Sequence, residues 1–249
     1  MTHGPVPNRQ PRTEPEESTM SSTDHDYRPG VSLEQAVDDG QSPYHGRNLA
    51  FYDFMVFRGS APLFWRASPR DFLTMYNTCL GAKHLEIGVG TGYLLDRARF
   101  PVSNPEITLA DLNPATLDFA AQRLAHYKTA KVVANCLEPL PVPEGSHDSA
   151  SLSFLLHCVP GSLREKGVAI KHAATAVRSG GTVFGHTILS SGVPVSGAGR
   201  WLMKNLNQKG VFHNDEDDLA DLRDQLKQNF DEFDLVTRGS VALFRGRKP

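Results

Sequence analysis

The stretch that decides the fold is residues 84–93, which read His-Leu-Glu-Ile-Gly-Val-Gly-Thr-Gly-Tyr. The apolar Leu85 and Ile87 predict a short strand that breaks at three alternating glycines, and Leu94 and Leu95 then begin a helix-compatible segment. Glycine is needed where the backbone takes a positive φ or where a ligand leaves no room for a Cβ atom. The N-terminus of a following helix offers free N–H groups and a partial positive charge. The stretch therefore predicts a cofactor pocket at the carboxyl end of a first strand.

Composition places the chain among globular proteins. Its 249 residues are 39% hydrophobic and 22% charged, which suits one domain with a full-sized core and an appendage. A formal net charge of -2 gives no basic surface for nucleic acid. The cysteines Cys79, Cys136 and Cys158 are widely spaced, so we expect reduced thiols and no metal site. With no apolar run of about 18 residues and no secretory signal, we predict a cytoplasmic protein without a membrane span.

Three segments differ in composition. Residues 1–26 are rich in Pro, Glu, Ser and Thr and hold almost no large apolar side chain, which predicts a disordered tail. Residues 27–80 are rich in aromatic residues and are predicted to form a helical cap or lid. Residues 81–249 are predicted to form the core of the fold. Within that core, residues 189–214 mix small residues with tryptophan and phenylalanine, and a connection of this length is typical of a lid.

Strand-like and helix-like segments alternate after the glycine turn. A helix that is capped by Ser162 and Glu165 is expected to run to the Gly180-Gly181 turn. Helices between successive strands imply a parallel sheet with right-handed crossovers. We therefore predict an α/β protein with a Rossmann-like, doubly wound sheet, mostly parallel with a C-terminal antiparallel strand, plus the N-terminal helical cap. The predicted strands after the first are residues 106–111, 131–134, 149–154, 182–188 and a hairpin within 233–244.

An acidic residue after the second strand indicates the type of cofactor. Asp111 lies 21 residues past Gly90, at the tip of that strand, where a carboxylate can accept two hydrogen bonds from a ribose diol. A dinucleotide fingerprint would require glycine at the position of Tyr93, because a pyrophosphate then lies on the helix N-terminus. The sequence therefore argues against NAD or FAD and favours a nucleoside without a pyrophosphate.

Residues 86–92 resemble the first motif of class I S-adenosylmethionine-dependent methyltransferases, and residues 111–114 resemble their acidic second motif. Residues 135–137 and 148–157 occupy the places of the third and fourth motifs. The resemblance extends over roughly residues 45–247. It implies a Rossmann-like fold and S-adenosylmethionine as the cofactor, and it leaves the methyl acceptor open.

The resemblance also implies roles for individual residues. Gly88, Gly90 and Gly92 would lie against the methionine portion and the ribose, and Asp111 would bind the ribose hydroxyls. Glu86 would hold the amino end of the cofactor or the backbone around it. The full predicted cofactor-binding set is Tyr52, Trp65, Glu86, Gly88, Gly90, Gly92, Asp111, Leu112, Asn113, Asn135, Cys136, Leu137, Ser153 and Phe154.

Adenine and the sulfonium have predicted neighbours of their own. Leu112 would pack on the adenine, and the amide oxygen of Asn135 would accept from its amino group at a position where the family often has an aspartate. Ser153 and Phe154 would face the sulfonium. The rings of Tyr52 and Trp65 are included because amphipathic rings can cover a purine and still offer a polar tip. The alternative is that these aromatic residues only pack on the sheet.

The reaction requires little of the side chains. A methyl group on a sulfonium is already activated, so its alignment with a nucleophile supplies much of the rate. A base is needed only if the acceptor must lose a proton. His157 is the candidate base or acceptor contact, with a structural or cofactor-shell role as the alternative, and His186 and His213 are weaker candidates for the base. The predicted acceptor-binding residues are Tyr44, Trp201, Phe212 and His213, and their largely aromatic character favours a partly apolar acceptor.

We therefore predict a small-molecule methyltransferase, and two alternatives are retained. The first is an enzyme of the same fold that binds S-adenosylmethionine but uses its positive charge for another reaction. The second is a non-catalytic cofactor-binding protein. Nucleic acid is not expected as a substrate because the Asn-Pro-Pro-Tyr motif of amino-methylating nucleic-acid enzymes is absent from the sequence. The sequence leaves a homodimer open.

Overall fold

The computed structural model describes residues 63–249 together with residues 1, 2 and 4. Most of the predicted tail lies outside the described residues, as do residues 27–62 of the predicted cap, with Tyr44 and Tyr52. The expectations for those residues stay predictions. Residues 63–80 are the part of the predicted cap that can be compared with the structure.

Within the described residues, seven strands form one sheet in the order β3-β2-β1-β4-β5-β7-β6. Strands β1 to β5 run parallel to one another, whereas β7 lies between β5 and β6 and runs antiparallel to both. The predicted sheet, mostly parallel with a C-terminal antiparallel strand, is confirmed. The strands are β1 (Lys83–Ile87), β2 (Glu106–Asp111), β3 (Lys128–Val133), β4 (His147–Ser153), β5 (Val177–Ile188), β6 (Glu232–Arg238) and β7 (Val241–Arg247).

Helices cover both faces of this sheet, as a doubly wound fold requires. They are α1 (Pro69–Cys79), α2 (Tyr93–Arg97), α3 (Pro114–Arg123), α4 (Leu163–Lys166), α5 (Val168–Ala176), α6 (Gly197–Gln208) and α7 (Leu219–Asn229), with a 3-10 helix at Leu156–Cys158. One core, which includes Phe72, Leu117 and Met203, joins α1, α2, α3 and α6 to the sheet. The other core, which includes Ile170 and Leu226, joins α4, α5 and α7 to the opposite face.

Short polar residues begin the helices where the sequence places them. The Ser68 hydroxyl accepts from the backbone N–H of Arg70 at 3.2 Å, and Pro69 occupies the first helical position. Asn113 caps α3 in the same way, accepting from Ala115. Ser162 and Glu165 form the expected capping box. None of the helices within residues 63–249 is long and apolar enough to cross a membrane.

One helix boundary differs from the prediction. The helix expected to run from Ser162 to the Gly180-Gly181 turn is divided at Gly167 into α4 and α5 and ends at Ala176. A Cβ atom on Gly167 would lie 2.4 Å from the side chain of Gln225, so glycine there lets α7 approach closely. β5 then begins before the glycine turn and is twelve residues long.

The segment 189–214 contains a helix that the sequence does not suggest. Gly197 and Gly199 lower its helix propensity, but the Ser196 hydroxyl caps α6 by accepting from the backbone N–H of Gly199 at 2.9 Å. Burial of Met203 then fixes one side of this helix against the first core. Tertiary packing therefore decides the structure of this segment.

Candidate active site

A cleft lies at the carboxyl ends of β1, β2 and β4. The chain leaves β1 toward β2 on one side and later returns to β4 on the other, and such a switch point is where open α/β sheets bind ligands. The cleft is lined by Ile87, Gly88, Gly90, Asp111, Leu112, Ala134, Asn135, Cys136, Leu137, Phe154, Leu155, Cys158, Val159 and Pro160. Eight of the predicted cofactor-binding residues therefore lie together in one site.

The glycine turn forms the floor of this cleft. Gly88, Gly90 and Gly92 all have positive φ angles, of 71°, 52° and 69°. A Cβ atom on Gly88 would lie 2.6 Å from a methyl carbon of Leu155, so the backbone is exposed to the cleft only because this residue has no side chain. Gly92 precedes α2 and packs toward Ala120 of α3, behind the cleft. Gly92 therefore turns the chain next to the residues that line the cleft, and its predicted contact with the cofactor stays a prediction.

Asp111 ends β2 beside the glycine turn. Its Oδ1 accepts from the backbone N–H of Asn113 at 2.9 Å, and the N–H groups of Val89 and Gly90 also favour its ionised form. Burial outweighs these hydrogen bonds and raises the pKa of the carboxyl to about 6. The side chain of Asn113 caps α3 and is absent from the cleft lining, which corrects its predicted role. The carboxylate at the cleft edge suits a ribose diol.

Glu86 is predicted to hold either the amino end of the cofactor or the backbone around it. Side chains alternate along β1, so Leu85 and Ile87 join the second core while Glu86 points to the α1 face. Its two carboxylate oxygens accept from the Tyr76 hydroxyl at 2.7 Å and the Ser151 hydroxyl at 2.6 Å, and His84 Nε2 lies 3.1 Å away. Glu86 is therefore bonded to side chains of α1, β1 and β4, and its predicted contact with the cofactor stays a prediction.

The third-strand loop forms the side of the cleft opposite β4. Asn135 Oδ1 accepts from the backbone N–H of Leu137 at 3.0 Å, which shapes this loop and leaves its second lone pair for a ligand. Leu112 is 37% exposed at the rim, where an apolar surface is available to a flat base. Together with Ala134 and Leu137, these residues form a slot that is apolar except for one amide.

Phe154, just after β4, has an unusual backbone. Its φ angle of 56° is rare for a bulky side chain and costs on the order of 1–3 kcal/mol. Its ring stacks on His186 at 5.4 Å and meets Phe72 edge-on at 4.8 Å, and these contacts hold it at the cleft. The Ser153 hydroxyl is bonded to His186 Nδ1 beneath this ring. Ser153 is therefore a support for Phe154, not a cleft residue as predicted.

His157, the predicted base, is buried behind Phe154. Its Nδ1 lies 3.4 Å from the backbone N–H nitrogen of Ile188 and 3.5 Å from the Thr187 hydroxyl. Since a backbone N–H can only donate, Nδ1 accepts and the proton of the neutral ring is placed on Nε2. Burial, with a smaller contribution from Lys166, lowers the pKa of His157 to about 3. The ring is therefore a neutral hydrogen-bond donor at Nε2, and the geometry does not favour a base.

Within the described part of the chain, the residues predicted to bind the acceptor or to cover the cofactor do not line the cleft. Trp65 is buried and packs on Phe212 at 6.0 Å, and Phe212 meets His157 edge-on at 4.5 Å. Trp201 is 64% exposed on α6 and lies outside the cleft lining. His213 Nδ1 donates to the carbonyl of Cys158 at 3.1 Å, behind the cleft. The ring of Trp65 belongs to the first core, and its predicted place over the cofactor stays a prediction.

Some cleft residues were missed by sequence reasoning. They are Ile87, Ala134, Cys158, Val159 and Pro160. Ile87 and Ala134 directly end or follow predicted strands, so their position alone could have suggested them. The other three lie on the 3-10 helix and the turn after β4, and no motif in the sequence marks them.

Comparison with known proteins identifies the family. The chain belongs to the S-adenosylmethionine-dependent methyltransferases: a methyltransferase-domain family model matches residues 85–183. Demethylluteothin O-methyltransferase of Streptomyces thioluteus is 57% identical over 228 residues, which cover 92% of this chain and 96% of that protein. Methyltransferase ctvB of Aspergillus terreus is 36% identical, covering 83% of this chain and 93% of that protein.

Solved structures show the same fold. A methyltransferase of Thermotoga maritima has a TM-score of 0.57 at 17% identity and covers 80% of this chain and 95% of its own. A geranyl diphosphate methyltransferase in complex with S-adenosylmethionine has a TM-score of 0.52 at 13% identity and covers 72% of this chain and 84% of its own. The chain is therefore a methyltransferase enzyme whose cofactor is S-adenosylmethionine and whose methyl acceptor is a small molecule.

The residues of the cleft fit this cofactor. Asp111 would provide a carboxylate for the ribose, Gly88 and Gly90 would leave room for the cofactor at the floor, and Leu112 would offer an apolar rim. When bound, the cofactor supplies a methyl group on a sulfonium that needs no further activation. The protein residues would bind it and orient it.

Proposed function

We propose that the protein methylates a hydroxyl oxygen of a small, partly apolar acceptor in secondary metabolism. The observation that carries the proposal is the 57% identity to demethylluteothin O-methyltransferase along nearly the whole of both chains. A relative at 32% identity that covers 86% of this chain is a physcion biosynthesis cluster O-methyltransferase. The ring of Phe154, which lines the cleft, offers apolar surface to such an acceptor.

In this proposal each group has a physical task. Gly88, Gly90 and Asp111 hold the cofactor, and the ring of the strained Phe154 lines the cleft where the acceptor meets the methyl group. His157 Nε2 donates a hydrogen bond to an oxygen of the acceptor and thereby orients the reacting hydroxyl. Because this ring is a poor base, the proton of the hydroxyl leaves to water, and acceptors with an acidic hydroxyl react best.

The proposed function is tested by incubating the purified protein with demethylluteothin and S-adenosylmethionine carrying a deuterated methyl group. The expected product has one deuterated methyl on oxygen, located by mass spectrometry and NMR, with S-adenosylhomocysteine in equal amount. Incubation without the acceptor is the control and should give neither product. A methyl group on nitrogen or carbon would contradict the proposal.

A pair of His157 variants tests the donor role. H157F removes the donor, and kcat/KM for the acceptor should fall about fivefold to tenfold, the value of one neutral hydrogen bond. H157Q keeps an N–H donor and should remain within about threefold of the wild type. Because the pKa of His157 is about 3, the wild-type rate should show no inflection at the ordinary histidine pKa of about 6.5. An inflection there that H157F removes would establish a base instead.

A further inference from the structure

One wall of the cleft is held from behind by residues that follow α6. This wall segment, residues 157–160, contributes Cys158, Val159 and Pro160 to the cleft lining. The backbone N–H of His213 donates to the carbonyl of His157 at 2.8 Å, and the His213 ring donates to that of Cys158. The carbonyls of His157, Cys158 and Val159 therefore each accept a hydrogen bond, and His213 donates the first two.

The third donor is a buried lysine. Lys166 Nζ lies 3.1 Å from the carbonyl oxygen of Val159, 2.8 Å from that of His213 and 2.8 Å from Oδ1 of Asp217. The side chains of Lys166 and Asp217 are both 0% exposed. The ammonium group therefore donates to two backbone carbonyls, one on the wall segment and one on the chain after α6, and forms an ion pair with the Asp217 carboxylate.

Asp217 continues this connection to the sheet. Its backbone carbonyl accepts from the N–H groups of Ser190 and Ser191, which follow β5 after Leu189. The side-chain amide of Asn214 donates to the carbonyl of Ile188 and accepts from that of Asn207 in α6, and the Asn214 backbone N–H donates to Asn207 Oδ1. The end of β5, helix α6 and the wall segment are therefore joined through one buried polar cluster that has Lys166 at its centre.

Stability alone does not account for an ion pair at this place. Burial lowers the pKa of Lys166 and raises that of Asp217 to about 7, so each charge is costly to keep ionised. Apolar residues of similar volume in place of such pairs are often neutral or stabilising. What an apolar replacement cannot supply is a donor for the carbonyls of Val159 and His213.

We propose that Lys166 and Asp217 are positioning residues that hold the wall segment against the cofactor and connect the cofactor cleft to α6. The proposal takes the cleft as the binding site of the cofactor. It assigns to the pair a role in cofactor affinity, in addition to any role in folding. Neither side chain lines the cleft.

The test uses the double variant K166M/D217L, which removes both charges at similar volume. It leaves no unpaired charge, so its melting temperature should fall less than that of K166M alone, which leaves the Asp217 carboxylate buried without a partner. The Kd of the double variant for S-adenosylhomocysteine, measured by calorimetry, should rise at least about fivefold, since two carbonyls lose their donor. R164M is the matched control on the same helix, because Arg164 forms an exposed pair with Asp221, and its Kd should be unchanged. A folded double variant with a Kd within about twofold of the wild type would overturn the proposal.

Hydrogen exchange on the unaltered protein gives a second test that does not depend on folding of a variant. Added S-adenosylhomocysteine should slow exchange at the amides of Ser190, Ser191 and His213, which donate into the cluster but lie outside the cleft lining. Protection confined to cleft residues would overturn the proposal. Unchanged exchange throughout the cleft with retained binding would overturn the assignment of the cleft itself, which is a different result.

Discussion

Replacement of Asp111 by Ala should weaken the binding of S-adenosylmethionine at least about tenfold, because two charge-assisted hydrogen bonds to the ribose are lost. The carboxylate stands at the end of β2 beside Gly90. Calorimetric titration of the purified variant measures the change. The melting temperature should change little, because removal of a buried charge offsets the loss of hydrogen bonds from the backbone N–H groups of Asn113 and Gly90. Unchanged affinity would show that the ribose lies elsewhere in the cleft.

The same carboxyl predicts how cofactor affinity depends on pH. Its pKa in the free protein is about 6, and a diol binds the ionised form, so binding lowers this pKa. Affinity should therefore be constant above the pKa and should fall as the pH drops below about 6. D111N cannot titrate and should bind weakly with no such dependence. A wild-type affinity that rises toward acid would contradict this sign.

Replacement of Glu86 by Ala should have the largest effect on stability. Tyr76, Ser151 and His84 all direct a polar atom at its carboxylate, and each would be left buried without that partner. Each buried partner left unsatisfied costs roughly 1–3 kcal/mol. The three costs do not add fully because the partners contact one another, so the free energy of unfolding should fall by about 3–5 kcal/mol. Urea denaturation measures the free energy of unfolding. The variant should also lose cofactor affinity, because the network supports the glycine turn.

A neighbouring carboxylate provides the control for Glu86. Glu106 begins β2 and pairs with Lys83 and Lys128 on the surface. The hydrogen bond from Lys128 holds the pKa of Glu106 below its ordinary value, but solvent screens the pair. E106A should leave the free energy of unfolding essentially unchanged. A loss of stability as large as that of E86A would mean that the buried network contributes no more than an exposed ion pair.

The parts of the fold and site that depend on local sequence could be predicted. Glycines that alternate after a strand permit few backbone paths, so Gly88 and Gly90 were expected on the floor of a cleft and are found there. The placement of Asp111 follows from its distance along a βαβ unit, which fixes the tip of β2 next to β1. That these residues bind the cofactor stays a prediction.

The direction in which each side chain points could not be predicted from the local sequence. Glu86 alternates to the α1 face because its neighbours Leu85 and Ile87 fill the opposite core, and the sequence does not say which face lies under the cleft. Trp65 resembles a ligand cover in sequence but is needed in the first core. The proton on His157 Nε2 depends on Ile188, thirty-one residues away, so no local pattern could identify the ring as a donor.

The position of β7 determines the order in which the enzyme can assemble during synthesis. β6 forms ladder hydrogen bonds with β7 but none with β5, so it has no place in the sheet until residues 241–247 leave the ribosome. Every residue of the cleft lies before residue 161 and is translated earlier. The residues that line the cleft are therefore synthesised before β6 can join the sheet, whereas the wall segment gains its donors only after Lys166 and His213 have been added.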